Sequence, residues 1–329
     1  MRQVSTMSAG PRILIVKLSA IGDVLMTTPT LAALRAGLPN AEIDWVVHPL
    51  GVPIVRGQAE IRQMHILPRK KLWRHIWSVA RHLRRERYDI VIDQQGLLKS
   101  AVLARLTGCR RRYGPAEARE GAHRLYTNLL PAAPGEHVIP HYLQRAAAIG
   151  ATWDPAHEPP MVFPVSDHDR DFVDGWLHAH DAGGRRLVAI NPSAGQVVKQ
   201  WDPANFGRVA AALRDDGFLP VVTGAPADRA LGDGVLAAAG SGIIDAVGAT
   251  SLTQLAALLA RCELFVGGDT GPMHMAQAVG SRVLALFGPT DPQRLGPRLP
   301  QHQTIYRPGP MEAIRVEEVI TAAQGMLAK

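Results

Sequence analysis

Short, almost wholly apolar runs recur along this chain, and each gives way to a stretch with helical periodicity. Arg12–Lys17 (RILIVK), Glu42–Val47 (EIDWVV) and Asp89–Asp93 (DIVID) form one series, and Leu187–Asn191 (LVAIN), Leu219–Thr223 (LPVVT), Glu263–Gly267 (ELFVG) and Arg282–Phe287 (RVLALF) form another. A run of this length without polar alternation is a strand buried on both faces, so the pattern predicts parallel sheets covered by helices. Between the two series, residues 151–169 carry Pro155, Pro159, Pro160 and Pro164 and lose all periodicity, as a linker does. At 329 residues the chain also exceeds what one core usually organises. The expectation is an α/β protein of two Rossmann-like domains facing a central cleft: a flexible tail over residues 1–10, an N-terminal domain over 11–165 and a C-terminal domain over 166–329. Ligands of such sheets bind at the carboxyl ends of the strands, so motifs at those ends carry the functional reading.

A net charge of +7 calls for an anionic partner. Aromatic residues make up 5% of the chain and are not interleaved with the basic ones, so a base-stacking platform for nucleic acid has little support and an acidic substrate is favoured. Cys109 and Cys262 stand far apart with no CxxC or His spacing, which argues against a disulfide framework or a zinc site and fits a reducing cytosol. The opening MRQVSTMSAG has no apolar core and no apolar run is of membrane-spanning length, so a cytoplasmic protein is expected, with room for peripheral contact with the inner membrane.

In the first half, RILIVK runs straight into Leu18–Leu25 (LSAIGDVL), which puts Asp23 at a strand end near a helix start. The plain reading is an acid that favours the helix dipole; the sharper one is a general base that takes a proton from an attacking hydroxyl. Asp93–Ser100 (DQQGLLKS) is another strand-to-helix turn, with Gln95 and Lys99 able to contact an acceptor, although a capped turn would read the same. From Arg69 to Arg87 eight Lys or Arg stand against the single acid Glu86, on a predicted helix. Such a run is either a solvated face or an attractor of an anionic glycolipid and the phospholipid surface around it.

In the second half, Phe265–His274 (FVGGDTGPMH) joins a strand to a helix through a glycine-rich turn carrying Asp269, Thr270, Gly271 and His274. Amides at a helix N-terminus, with a threonine hydroxyl, can hold diphosphate oxygens and stabilise the charge that grows as a leaving group departs. A tight turn needing glycine is the alternative. Asn191–Gln196 (NPSAGQ) follows another strand, with Ser193 and Ala194 at its centre and Lys199 just beyond as a cation for phosphate. Phe287–Pro292 (FGPTDP) closes a further strand with turn chemistry and a weak donor-side role.

Taken together, VKLSAIGDVL, DQQGLLKSA, KQWDPANFGRVAAAL and GGDTGPMHMAQAVGSRVLALFGPTDP resemble the lipopolysaccharide heptosyltransferase family, glycosyltransferase family 9, over nearly the whole chain, and the first is worded more like heptosyltransferase I than II. The resemblance implies a GT-B fold and an inverting, metal-independent transfer with no cofactor. The donor it implies is ADP-L-glycero-D-manno-heptose, bound by the C-terminal domain, and the acceptor a Kdo residue of the inner-core lipid A, bound by the N-terminal domain. Carried across residue by residue, Asp23 matches the proposed base, Lys199, Thr270 and Gly271 the diphosphate contacts, Asp269 and His274 the sugar pocket, and Ser193 with Ala194 the phosphate loop. Arg119, Glu120 and His137 fall on the acceptor side. Two points depart from the family: Ser193-Ala194 stands where paired threonines can occur, and Gly224–Asp228 lacks an acid directly after Gly-Ala. A related transferase with another nucleotide sugar or glycan acceptor, or a catalytically silent nucleotide-sugar binder, remains the alternative.

Overall fold

The structure, a computed structural model, describes residues 10–131 and 137–328. The expected N-terminal tail therefore lies outside the described residues except for Gly10, as does Glu136. The chain divides into two compact units between Val162 and Phe163.

The first unit is built on six parallel strands: β1 (Arg12–Val16), β2 (Glu42–Val47), β3 (Ile61–Ile66), β4 (Ile90–Asp93), β5 (Arg111–Pro115) and β6 (Asn128–Leu130). Their order is β3-β2-β1-β4-β5-β6. The second unit repeats the plan with β7 (Leu187–Asn191), β8 (Leu219–Gly224), β9 (Ile244–Val247), β10 (Cys262–Gly268), β11 (Arg282–Phe287) and β12 (Gln303–Tyr306), ordered β12-β11-β10-β7-β8-β9. Read from the other edge, that is the same doubly wound sequence of strands, although the two halves share no visible sequence repeat. In each sheet the chain starts at the centre, winds to one edge, then crosses back. The direction of winding reverses between β1 and β4 in the first sheet and between β7 and β10 in the second, and a crevice opens outside the strand ends at each reversal.

Ile13, Leu14 and Val16 of β1, and Val188, Ala189 and Ile190 of β7, have no exposed surface. Asp44 is the exception inside the apolar strand β2, since it is also fully buried. It survives there by accepting hydrogen bonds from Arg62 (2.9 and 2.5 Å) and the Tyr88 hydroxyl (2.5 Å), with His65 Nε2 at 3.3 Å. Burial alone would raise its pKa, but the bonds from His65, Arg62 and Tyr88 outweigh burial and hold the carboxyl below the ordinary carboxylate range.

A half-buried histidine is expected to make the second unit acid-sensitive. The backbone amide of Val283 donates to His302 Nδ1 at 3.2 Å, which joins the start of β11 to the turn before β12. Burial lowers the His302 pKa from 6.5 to about 4. The unfolded chain therefore takes up a proton on acidification before the folded one does, and stability falls as the pH drops from 6.5 toward about 4. His302→Asn keeps an acceptor and cannot titrate, so melting temperature across this window is expected to fall less steeply than in the parent. An unchanged slope would refute the assignment.

Candidate active site

At the first reversal point, the chain leaves β1 through Lys17–Ala20 and enters the helix Ile21–Thr27. Asp23 lies in the first turn of that helix, where its Oδ2 accepts from the Ala20 amide at 3.1 Å. The expected helix-dipole partnership is therefore present, and it uses only one oxygen. The other, Oδ1, faces the Tyr142 hydroxyl at 3.3 Å and Lys17 Nζ at 3.6 Å. Lys17 is the unusual member, because its side chain is 3% exposed while that of Asp23 is 39% exposed. A buried ammonium is costly unless paired. Here Lys17 Nζ donates to the Tyr142 hydroxyl (2.7 Å) and to the Gln94 carbonyl (3.0 Å) and sits 4.5 Å from the Tyr142 ring centre. Burial pulls the Lys17 pKa down, but Tyr142 and Asp23 more than offset it and hold it above 10.5. A permanent positive charge thus stands behind a carboxylate that opens to solvent.

The neighbouring strand end holds this loop in place. Gln95 Oε1 accepts from the amides of Leu18 (2.9 Å) and Ser19 (3.0 Å), so the side chain expected to touch an acceptor clasps the Asp23 loop. Gln95 is itself fixed by Asp93, whose Oδ1 accepts from the amides of Gln95 (2.8 Å) and Gly96 (3.1 Å) and whose Oδ2 accepts from the Tyr126 hydroxyl (2.7 Å). Gly96 has φ +70°, and a Cβ there would stand 2.7 Å from Pro115, so the turn admits only glycine.

The remaining residues of this side divide by exposure. Glu120 is exposed and caps the helix Leu98–Leu106 by accepting from the Leu98 amide at 3.1 Å. Arg119 is exposed, with its own amide bonded to the Gly96 carbonyl at 3.0 Å. His137 is buried and caps the helix Val138–Ala147, accepting from the Ile139 amide at 3.2 Å. Lys99 is half-buried, and with Arg69 it lies close enough to His48 to help depress the pKa of that ring, after the larger effect of burial. Arg69 and Lys99 therefore belong to one electropositive edge. Sequence reasoning missed Lys17 and Tyr142. The signal for Lys17 was available, a lysine ending a buried apolar strand; Tyr142 lies mid-helix and carries no local motif.

At the second reversal point, Lys199 Nζ donates to Asp269 Oδ2 at 2.8 Å, joining the loop after β7 to the turn after β10. Asp269 is nearly buried, and its Oδ1 lies 3.9 Å from Nε2 of the buried His274. Thr270 caps the helix Gly271–Ala278, its hydroxyl accepting from the Met273 amide at 3.4 Å; Pro272 carries no N–H, so Gly271 is the first-turn donor that the cap does not use. Ser193 points inward: its hydroxyl donates to Asn191 Oδ1 (2.7 Å), while Asn191 Nδ2 donates to the Thr223 carbonyl and hydroxyl (3.1 Å each). Ala194 contributes no side-chain polar group beside it. Asp228 bonds the Ala225 amide at 2.8 Å, which orders the Gly224–Asp228 turn. Asp269, Thr270, Gly271, His274 and Lys199 thus gather at one strand end.

The chain matches the family model for glycosyltransferase family 9 (heptosyltransferase) over residues 76–318. The chain belongs to glycosyltransferase family 9. It is similar to lipopolysaccharide heptosyltransferase 1 of Pseudomonas aeruginosa, 33% identical over 85% of this chain and 79% of that one. It is also similar to lipopolysaccharide heptosyltransferase 3 of Escherichia coli, 28% identical over 82% of this chain and 81% of the relative. Among solved structures, a family 9 glycosyltransferase from Veillonella parvula superposes with a TM-score of 0.88 at 23% identity over 97% of both chains. The E. coli heptosyltransferase WaaC with ADP gives a TM-score of 0.76 at 24% identity, over 96% of this chain and 98% of that one. As a family 9 member the protein is a glycosyltransferase, and its two doubly wound α/β units are those of the GT-B fold.

Proposed function

We propose that this glycosyltransferase moves L-glycero-D-manno-heptose from ADP-heptose to a Kdo residue of the lipopolysaccharide inner core, with inversion and without a metal. The observation that carries the proposal is the split of chemistry between the two strand ends. One offers a half-exposed carboxylate, Asp23, backed by buried Lys17, and the other a cation and helix amides suited to a diphosphate. In this reading Asp23 accepts the proton of the acceptor hydroxyl as its oxygen attacks the anomeric carbon. The bond from that carbon to the diphosphate oxygen breaks in the same displacement, and ADP departs with the bonding pair. Lys199 and the Thr270 and Gly271 amides stabilise the charge gathering on the diphosphate, the task a metal ion performs in other transferases. Asp269 and His274 orient the sugar, and Lys99 with Arg119 attracts the acidic acceptor.

The relatives' names support heptose as the sugar and lipopolysaccharide as the acceptor, and the family description names heptosyl transfer. The test is mass-resolved transfer with purified protein, ADP-heptose and a Kdo-bearing lipid A acceptor in excess EDTA, beside a panel of other nucleotide sugars. One heptose is expected to be added, with EDTA without effect. Activity lost in EDTA and restored by magnesium would refute the metal-free reading. Preference for another donor would identify a related transferase, and donor binding without product would identify a silent binder.

A further inference from the structure

The helix Leu72–Arg85 buries Ile76, Ala80 and Leu83 in the core of the first unit. Spacing of i, i+4, i+8 and i+11 puts Trp73, Trp77, Arg81 and Arg84 together on another face. Trp73 and Trp77 are 55% and 61% exposed. Two large aromatic rings left in water on one helical stripe are not required by the fold, since the core contacts of this helix lie elsewhere. The same end of the sheet also exposes Leu50, just past β2, and Ile66, the last residue of β3. Exposed Arg69, Lys70, Lys71 and Arg74 flank the two tryptophans along the chain, and exposed Arg81, Arg84, Arg85 and Arg87 continue the basic run toward the far end of the helix. Glu86, the one acid in that run, is paired with Arg62 at 2.9 Å.

We propose that this face docks on an anionic phospholipid bilayer, with Trp73 and Trp77 entering the headgroup layer and the surrounding Lys and Arg meeting the lipid phosphates. Tryptophan has an apolar body and one polar N–H, which suits the boundary between acyl chains and headgroups, and a basic amphipathic helix bearing it lies in the plane of the interface. Charge brings the protein to the surface and is screened by salt; ring burial then holds it there. The first turns of this helix follow the carboxyl end of β3, on the edge where Asp23 and Lys99 lie. A membrane-embedded acceptor would thus meet the proposed base without leaving its bilayer, and this last step alone rests on the proposed function.

The test uses the full chain with no donor present, so that it stands or falls apart from transfer. Phosphatidylglycerol–phosphatidylethanolamine vesicles are compared with phosphatidylcholine vesicles by sedimentation, and insertion is read by quenching of tryptophan emission with brominated acyl chains. The parent is expected to prefer the anionic vesicles. In Trp73→Ala/Trp77→Ala the partition coefficient should fall about tenfold or more, given the apolar area of two rings, with quenching lost and the melting temperature unchanged. Trp73→Phe/Trp77→Phe should recover most of the binding. With ADP-heptose added, the alanine pair should raise KM for a vesicle-embedded acceptor and leave turnover of an acyl-free acceptor unaltered. Parent protein that ignores anionic vesicles, an alanine pair that binds them as well as the parent, or equal loss with both acceptors would overturn the proposal. The last of these would assign the two rings to the sugar site.

Discussion

Asp23→Asn and Asp23→Ala are expected to lower kcat by roughly 10²- to 10⁴-fold, the usual contribution of a positioned general base, while ADP binding stays near the parent value. The split follows from where the residue acts. Asp23 lies in the first unit beside Lys17 and Tyr142, and the proposed diphosphate contacts belong to the second unit. Asparagine can still accept from the Ala20 amide that now meets Asp23 Oδ2 at 3.1 Å, so the helix start should persist. Lys17 keeps the Tyr142 hydroxyl and the Gln94 carbonyl as partners. Melting temperature should therefore move little for Asn. Single-turnover kinetics with calorimetric titration of ADP separates the two effects, and an Asn variant with near-normal kcat would remove Asp23 from the mechanism.

Lys199→Ala is expected to reduce kcat/KM for the donor by about 10²- to 10³-fold, the range seen when one preorganised charge donor is lost. Two effects combine. The cation facing the diphosphate disappears, and Asp269, whose side chain is 8% exposed, is left with an uncompensated negative charge beside an anionic ligand. The double change Lys199→Ala/Asp269→Asn separates them. It should restore the melting temperature lost by the single variant and recover only part of the donor affinity. If the double variant binds ADP as tightly as the parent, Lys199 serves only to neutralise Asp269.

Much of this architecture was legible in the sequence because parallel strands buried on both faces cannot hide their apolar runs; Glu42–Val47 and Arg282–Phe287 begin and end as their hydrophobicity says. The glycine-rich turn into Thr270-Gly271 was legible for a related reason, since close backbone approach leaves glycine as its mark. The chemistry behind Asp23 was not legible. The Tyr142 hydroxyl that meets Lys17 comes from 125 residues further along the chain, on a helix with no local motif. Gln95 illustrates a different limit: its position at a strand end was clear, but its use of Oε1 to hold the amides of Leu18 and Ser19 depends on tertiary geometry. Trp73 and Trp77 show a third, because tryptophans spaced four apart in a helical pattern resemble core residues until the packing of Ile76, Ala80 and Leu83 shows which face is inside.

In the proposed mechanism Asp23 deprotonates the acceptor in a single displacement as ADP leaves the opposite face of the anomeric carbon. This displacement is tested most directly by nuclear magnetic resonance of the product made from donor carrying ¹³C at that carbon. One new glycosidic linkage is expected, with an anomeric configuration opposite to that of ADP-heptose, formed about 10²- to 10⁴-fold more slowly when Asp23 is changed to Asn. A product that retains the donor's configuration, or an inverted product formed at the parent rate without the Asp23 carboxylate, would contradict this mechanism.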